Sequence, residues 1–298
     1  MASSSHLRIA ILGAGKIGST FAFQLARAGG HDVTVVARPD SARLRQLERD
    51  GAIVDVTGAR ADVRVANRLD EQESYDLVIV TVPAHQIPAL LPALGRSEAA
   101  CVQFMANMFH PELLEDAIGA DRCAFGMPFV QATLDADGHL KCSIGTGGQK
   151  TIMSRQCWVD VFNAAALPAA LEPDMPLWLR CHVPLCVAFE SVSIAGERRG
   201  GGASWGEALV LARGVRASFT LLKSLGYEIY PAAKKRMDKN PTWTVAGMLW
   251  FMSRIRSFRT LLATGEAECR ALVDDMLASA PTGLPTTVVS KILAMKPH

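Results

Sequence analysis

Apolar positions in this chain change their period along its length, from short continuous runs in the first half to helical spacing in the second. Residues 9–12 form an apolar run that leads directly into Gly13-Ala14-Gly15-Lys16-Ile17-Gly18, and a helix-spaced stretch follows to about Ala28. A second strand-like run, 32–37, comes next, so the opening segment is predicted as a βαβ unit. Residues 41–50 predict a short helix that Gly51 ends, and runs 52–56 and 61–66 alternate around Thr57-Gly58-Ala59 as a hairpin would. The run 75–82 is apolar on both faces, which suits a strand inside a parallel sheet, and its carboxyl end at 83–86 should open onto a cleft. Another strand, 100–104, ends in Met105-Ala106-Asn107-Met108. A helix, a strand at 122–127 and a strand pair at 129–134 and 139–144, reversing at Asp137-Gly138, complete the sheet region. A helix at 155–165 and a short strand at 169–171 follow, and strand signals then cease.

From Pro176 the pattern is helical, in segments 176–196, 205–226, 231–236, 242–263 and 266–280 separated by glycine and proline. Gly200-Gly201-Gly202 reads either as a flexible connector or as a lid. A length of 298 residues favours two domains. The expected fold class is an α/β Rossmann-type domain with a mostly parallel sheet over 1–172, then an all-α domain over 173–298 for substrate and dimerisation.

Composition narrows the function. A formal charge of +2 offers nothing to a polyanion, and the basic clusters Arg198-Arg199 and Lys234-Lys235-Arg236 read as solvated, so no nucleic-acid partner is expected. The longest apolar run, 243–252, is too short to span a membrane, and the first residues lack a signal-peptide core. Seven scattered cysteines form no C-x-x-C pair and no zinc spacing, which points to reduced thiols, a cytoplasmic protein and no metal. Apolar crowding over 243–258 leaves two readings, a homodimer through the helical domain or burial within one chain.

The glycine turn carries the chemistry. Gly13 allows a tight strand-to-helix turn, Gly15 lets backbone approach a pyrophosphate, and Gly18 permits close packing of helix on sheet. Ala14, Lys16 and Ile17 complete a helix N-terminus whose free N–H groups suit an anion. The second strand ends in Ala37-Arg38-Pro39-Asp40, with Arg38 where an NAD site would hold an acid. A guanidinium there can grip a 2′-phosphate bidentately, so NADP(H) is expected over NAD.

Four segments, 11–18, 36–38, 76–86 and 103–114, together resemble the ketopantoate reductase (2-dehydropantoate 2-reductase) family. The resemblance implies an NADPH-dependent enzyme with a Rossmann domain and a helical domain. It implies cofactor contacts from Val82, Pro83 and Gln86, where Pro83 stands at the family's lysine, and from Asn107, whose following glycine is here Met108. Asn107 reads either as a nicotinamide-side contact or as a helix cap. The family opens its helical domain with Trp-x-Lys, the lysine protonating the ketone oxygen, and then asparagines at four-residue spacing. Here the segment is Trp178-Leu179-Arg180-Cys181-His182-Val183-Pro184, with Arg180 at the lysine and Pro184 at an asparagine. No match to the family's substrate-binding glutamate is found where 253–257 falls.

His182, Cys186 and Glu190 recur every four residues and share one helical stripe, so His182 is a candidate acid and Arg180 a candidate anchor for a substrate carboxylate. His85 is a further candidate near the cleft. The expected function is hydride transfer between NADPH and a small 2-oxo acid or related carbonyl compound, with Asn107, Arg180 and His182 as catalytic candidates. The alternatives are a cofactor-binding, redox-responsive regulator without catalysis, and an opine-type dehydrogenase.

Overall fold

The computed structural model describes residues 6–263 and 265–297. They fall into two compact units. One comprises the described residues up to Ala106 together with Pro111–Met175, and the other Asn107–His110 together with the described residues from Pro176 onward.

The first unit is built on an eight-stranded sheet. Its strands are β1 (Arg8–Leu12), β2 (Asp32–Val36), β5 (Arg64–Ala66), β6 (Leu77–Val80), β7 (Val102–Phe104), β8 (Cys123–Met127), β11 (Thr151–Met153) and β12 (Ala169–Leu171). They lie in the order β12-β11-β8-β7-β6-β1-β2-β5, parallel except where β11 runs antiparallel to β8. The chain moves outward from β1 to β2 and β5, then returns to place β6 on the other side of β1. The strand order therefore reverses between β1 and β6, where a doubly wound sheet opens a crevice at its carboxyl edge. Ile9, Ile11, Val33, Val35, Leu77 and Ile79 point from these strands into a core shared with Phe21 and Leu25 of helix α1 (Lys16–Arg27). Phe21 meets Phe162 of α5 (Gln156–Ala164) edge-on at 5.1 Å. The remaining helices here are α2 (Ala42–Asp50), capped by Ser41 and stopped by Gly51 in the left-handed region, α3 (Leu91–Arg96) and α4 (Glu112–Ile118).

Three features of this unit depart from expectation. The run 61–66 is two strands: β4 (Arg60–Asp62) closes a hairpin on β3 (Ala52–Val54), while β5 joins β2 in parallel. Val63 makes the break, donating its N–H to Gly51 O at 3.2 Å instead of to either ladder. The pair β9 (Val130–Leu134) and β10 (Leu140–Ile144) does not extend the main sheet; it forms a separate two-stranded sheet whose Ala132 and Leu140 pack into the α1 side of the core. Strand β11 has only three residues, a run too short to stand out by its pattern.

The second unit is helical: α6 (Met175–Arg198), α7 (Trp205–Ser224), α8 (Ala232–Lys239), α9 (Thr242–Met252), α10 (Arg256–Leu262), α11 (Glu266–Ala278) and α12 (Thr286–Leu293). The expected single helix over 242–263 is broken because Ser253 bonds outward. Its Oγ accepts the N–H of Ala203 at 3.0 Å, and its carbonyl is taken by the Arg259 guanidinium at 2.9 Å. Helix α12 lay outside the predicted segments. Helix α6 corrects the expectation about membrane-length runs: by length and composition it could cross a membrane, and it runs through Pro184. In the fold 78% of its most apolar window is buried, so its apolar surface is spent on neighbouring helices.

Candidate functional site

Each glycine of the first turn has its own geometric reason. Gly13 has φ +110°, and a Cβ there would lie 2.8 Å from Thr81 Oγ1. That hydroxyl donates to Gly13 O at 3.0 Å, tying the turn to the end of β6. A Cβ on Gly18 would come within 1.9 Å of Gly13 O, so α1 can lie this close to the turn only without a side chain. A Cβ on Gly15 would meet no atom within 4 Å; it would instead fill the cleft. Gly15 caps α1 with no side-chain bond, and the first turn, with Lys16 and Ile17, holds no acid, so the helix N-terminus is open to an anion.

The cleft has a volume of about 600 Å³ and is lined by Gly13, Ala14 and Gly15 on one side and by Val82, Pro83 and Gln86 on the other. Three arginines line it: Arg38 after β2, Arg68 after β5, and Arg43 against the glycine turn. Arg38 and Arg68 are exposed. Arg43 is fixed by bonds to Ala14 O at 3.2 Å, Ser19 Oγ at 2.8 Å and Gly138 O at 2.8 Å, and burial lowers its proton affinity without discharging it. Asp40 does not line the cleft, whereas Glu71 does and is gripped by Arg96 at 2.6 and 2.7 Å. His85 is exposed and lies outside the lining, within 3.4 Å of Gln86 Nε2.

In the helical unit the stripe Trp178, His182, Cys186, Glu190 runs along α6. His182 stacks on Trp178 with ring centres 4.5 Å apart. Lys234 of α8 places its ammonium 3.8 Å from the Trp178 ring centre and donates to Trp178 O at 3.0 Å. Lys234 is therefore buried, which corrects its reading as part of a solvated cluster. Desolvation first, and the Lys234 charge second, push the His182 pKa down to about 3. The imidazole is neutral at working pH and can donate a hydrogen bond, but it holds no spare proton to release as an acid. Arg180, two residues earlier, points about 200° away around the helix. Its guanidinium lies 4.7 Å over the Tyr227 ring.

Further along the stripe, the Cys186 thiol donates to Glu190 Oε1 at 3.3 Å, and the Cys269 thiol of α11 donates to Oε2 at 3.2 Å. Glu190 is thus engaged by thiols and does not orient His182. Burial and the neighbouring Glu268 raise the Glu190 pKa to about 7, and burial also raises both thiols. Beside it, Asn107 Nδ2 donates to Glu268 Oε1 at 3.4 Å, while its Oδ1 is buried with no partner among the described residues. Asn107 thus meets a glutamate that sequence reasoning missed. The signal was Glu266-Ala267-Glu268 opening α11, some ten residues beyond 253–257. Another group of ligand-type side chains, Asp135, Asp137 and His139, lies on the β9–β10 turn with ligand atoms within 4.8 Å of one another. Asp135 spends its oxygens on the N–H groups of Asp137 and His139 and on the His139 ring.

Comparison with known proteins follows the same division. The family model described as ketopantoate reductase PanE/ApbA matches residues 9–154. A 2-dehydropantoate 2-reductase of Mesorhizobium japonicum is 38% identical over 95 residues, a match spanning 30% of this chain and 28% of that protein. Among solved structures, a PanE/ApbA family ketopantoate reductase from Ralstonia eutropha JMP134 aligns with TM-score 0.69 at 17% identity, covering 97% of this chain and 98% of its own. A D-mandelate dehydrogenase in complex with NADH aligns with TM-score 0.69 at 14% identity, covering 97% of both chains. The chain resembles the ketopantoate reductase family in sequence across residues 9–154 and shares the fold of a solved member along 97% of its length.

Proposed function

We propose that this protein is a nicotinamide-dependent oxidoreductase of the ketopantoate reductase type, selective for NADP(H), acting on a small carbonyl or hydroxyl compound such as a 2-oxo acid. The observation that carries the reading is the cleft at the β1–β6 reversal, lined both by the turn at an uncapped helix N-terminus and by the exposed arginines Arg38 and Arg68. The residues present fit the cofactor: Gly15 leaves space for a diphosphate, and the exposed Arg38 and Arg68 suit a 2′-phosphate, while Arg43 is held by Ala14, Ser19 and Gly138. Val82, Pro83 and Gln86 would flank the bound dinucleotide. When bound, the nicotinamide supplies or accepts the hydride.

The chain's own residues then stabilise and orient. A carbonyl oxygen gains negative charge during reduction and needs a fixed donor. Neutral His182 serves as that hydrogen-bond donor, with proton supply left to solvent or substrate. Asn107, fixed by Glu268, presents its unpartnered Oδ1 to a donor on the ligand. Arg180 faces away from His182 over the Tyr227 ring, so the two do not share one small substrate. A D-mandelate dehydrogenase shares the fold, which is the reason to include aryl 2-oxo acids among the compounds tested. We further propose a reducing, cytoplasmic setting, in keeping with seven free cysteines, and a homodimer through α9, whose Trp243 and Phe251 are 63% and 60% exposed.

The test is NADPH and NADH oxidation across a panel of aliphatic and aryl 2-oxo acids, with and without an added amine. Turnover with NADPH and a 2-oxo acid alone is the expected result. Turnover only with the amine would favour an opine-type dehydrogenase. Cofactor binding with no turnover would favour the regulator.

A further inference from the structure

The buried carboxyl of Glu190 is the least expected group in the helical unit. It lies 9% exposed inside an apolar packing of α6 and α11. Its two oxygens are divided between helices, one reached by the Cys186 thiol of α6 at 3.3 Å and the other by the Cys269 thiol of α11 at 3.2 Å. The carboxyl therefore acts as a cross-tie that fixes the rotation of the first turn of α11 against α6.

The backbone makes room for this tie. A Cβ on Gly265, the residue that caps α11, would fall 1.8 Å from Glu190 Oε2, so the carboxyl occupies the space any other residue would need. The next turn begins from the same point, since Cys269 donates its N–H to Gly265 O at 2.8 Å. Glu268 sits between these two positions and meets Asn107.

We propose that Glu190 is a positioning residue for the Asn107–Glu268 pair: it sets where Glu268 stands and, by holding a proton, lets Glu268 alone carry the negative charge. This rests on the proposed reading only in assigning Asn107 and Glu268 to the ligand. The groups facing Glu190 are Cys186 from its own helix and Cys269 and Glu268 from α11. Two carboxyls in such surroundings cannot both ionise cheaply. Glu190 is the more deeply buried, so it keeps its proton while Glu268 ionises and accepts from Asn107. Its pKa, raised to about 7, puts the loss of that proton near neutrality.

The test is carboxyl-carbon NMR of the full chain, without substrate, titrated from pH 4 to 9 in the native protein and in Glu190→Gln, which preserves shape but cannot ionise. In the native protein the Glu268 signal should show a second inflection near neutral pH as Glu190 ionises. In Glu190→Gln that inflection should vanish and Glu268 should titrate in a single step at lower pH. Cys269→Ala, which removes one donor and should move the inflection upward, serves if Glu190→Gln does not fold. An identical Glu268 titration in native and variant protein would overturn the proposal. Turnover gives a second readout: the native KM for the 2-oxo acid should rise severalfold between pH 6 and 8.5 and stay flat in Glu190→Gln. Absence of any turnover would count against the enzymatic reading, while the NMR result would still decide the role of Glu190.

Discussion

The proposed preference for NADP(H) rests largely on one side chain, Arg38. It stands at the end of β2 and lines the cleft beside Arg43 and Arg68, while Asp40 does not. A bidentate contact to a phosphate is among the stronger hydrogen bonds, so Arg38→Ala should weaken NADPH about 10- to 100-fold and leave NADH nearly unchanged. Calorimetry with both nucleotides measures this directly. His182 gives a prediction of a different kind. With its pKa lowered to about 3, the folded state binds fewer protons than the unfolded chain between that value and the ordinary 6.5. Its contribution is therefore present above pH 6.5 and is lost as pH falls toward 3. Urea unfolding at pH 5 and pH 7.5 should show the native protein losing about 1–2 kcal/mol more on acidification than His182→Gln. Glu190 has the opposite sign: its folded pKa is raised from 4.5 to about 7, so its stabilising contribution is full below pH 4.5 and is lost as pH rises through about 7. The stability of Glu190→Gln relative to native protein should accordingly improve from pH 5 to 8.

At the scale of elements, the strand–turn–helix at the start of the chain separates packing from binding. Gly15→Ala adds a methyl to open space in the cleft, so Tm should stay within a degree or two while nucleotide affinity falls. Gly18→Ala drives a methyl against Gly13 O, so both Tm and affinity should fall. Thermal unfolding with and without NADPH distinguishes the two. This element was fully legible in sequence because each glycine answers a local steric demand, and local demands leave a local pattern. The hairpin at 129–144 was legible as a pair of strands but not as a separate sheet, since alternation is the same whichever sheet a pair joins. The break between α9 and α10 was hidden for a related reason. Ser253 ends the helix through Ala203 and Arg259, and one of those lies fifty residues away in the chain.

For the molecule as a whole, the division into two units matters because the first carries the nucleotide features and the second carries Asn107, His182 and Glu268. Asn107–His110 belong to the helical unit although only Met105 and Ala106 separate them from β7. Self-association belongs to this scale too. Helix α9 is apolar on all sides and leaves Trp243 and Phe251 exposed one above and one below Gly247. If that face joins two copies, Trp243→Glu combined with Phe251→Glu should halve the mass measured by light scattering and leave NADPH binding intact. A native protein that already runs as a monomer would remove the dimer from the proposal.

What the sequence determined by itself was everything set by neighbours along the chain: the glycine turn, the arginine after the second strand, the apolar strands and the four-residue stripe on α6. Those features need only backbone sterics and periodicity to be read. The tertiary structure alone decided which groups meet across helices, bringing Glu268 to Asn107, Cys269 to Glu190 and Lys234 to Trp178. Such contacts join residues far apart in the chain, and burial, which shifts their charges, exists only once the chain has packed.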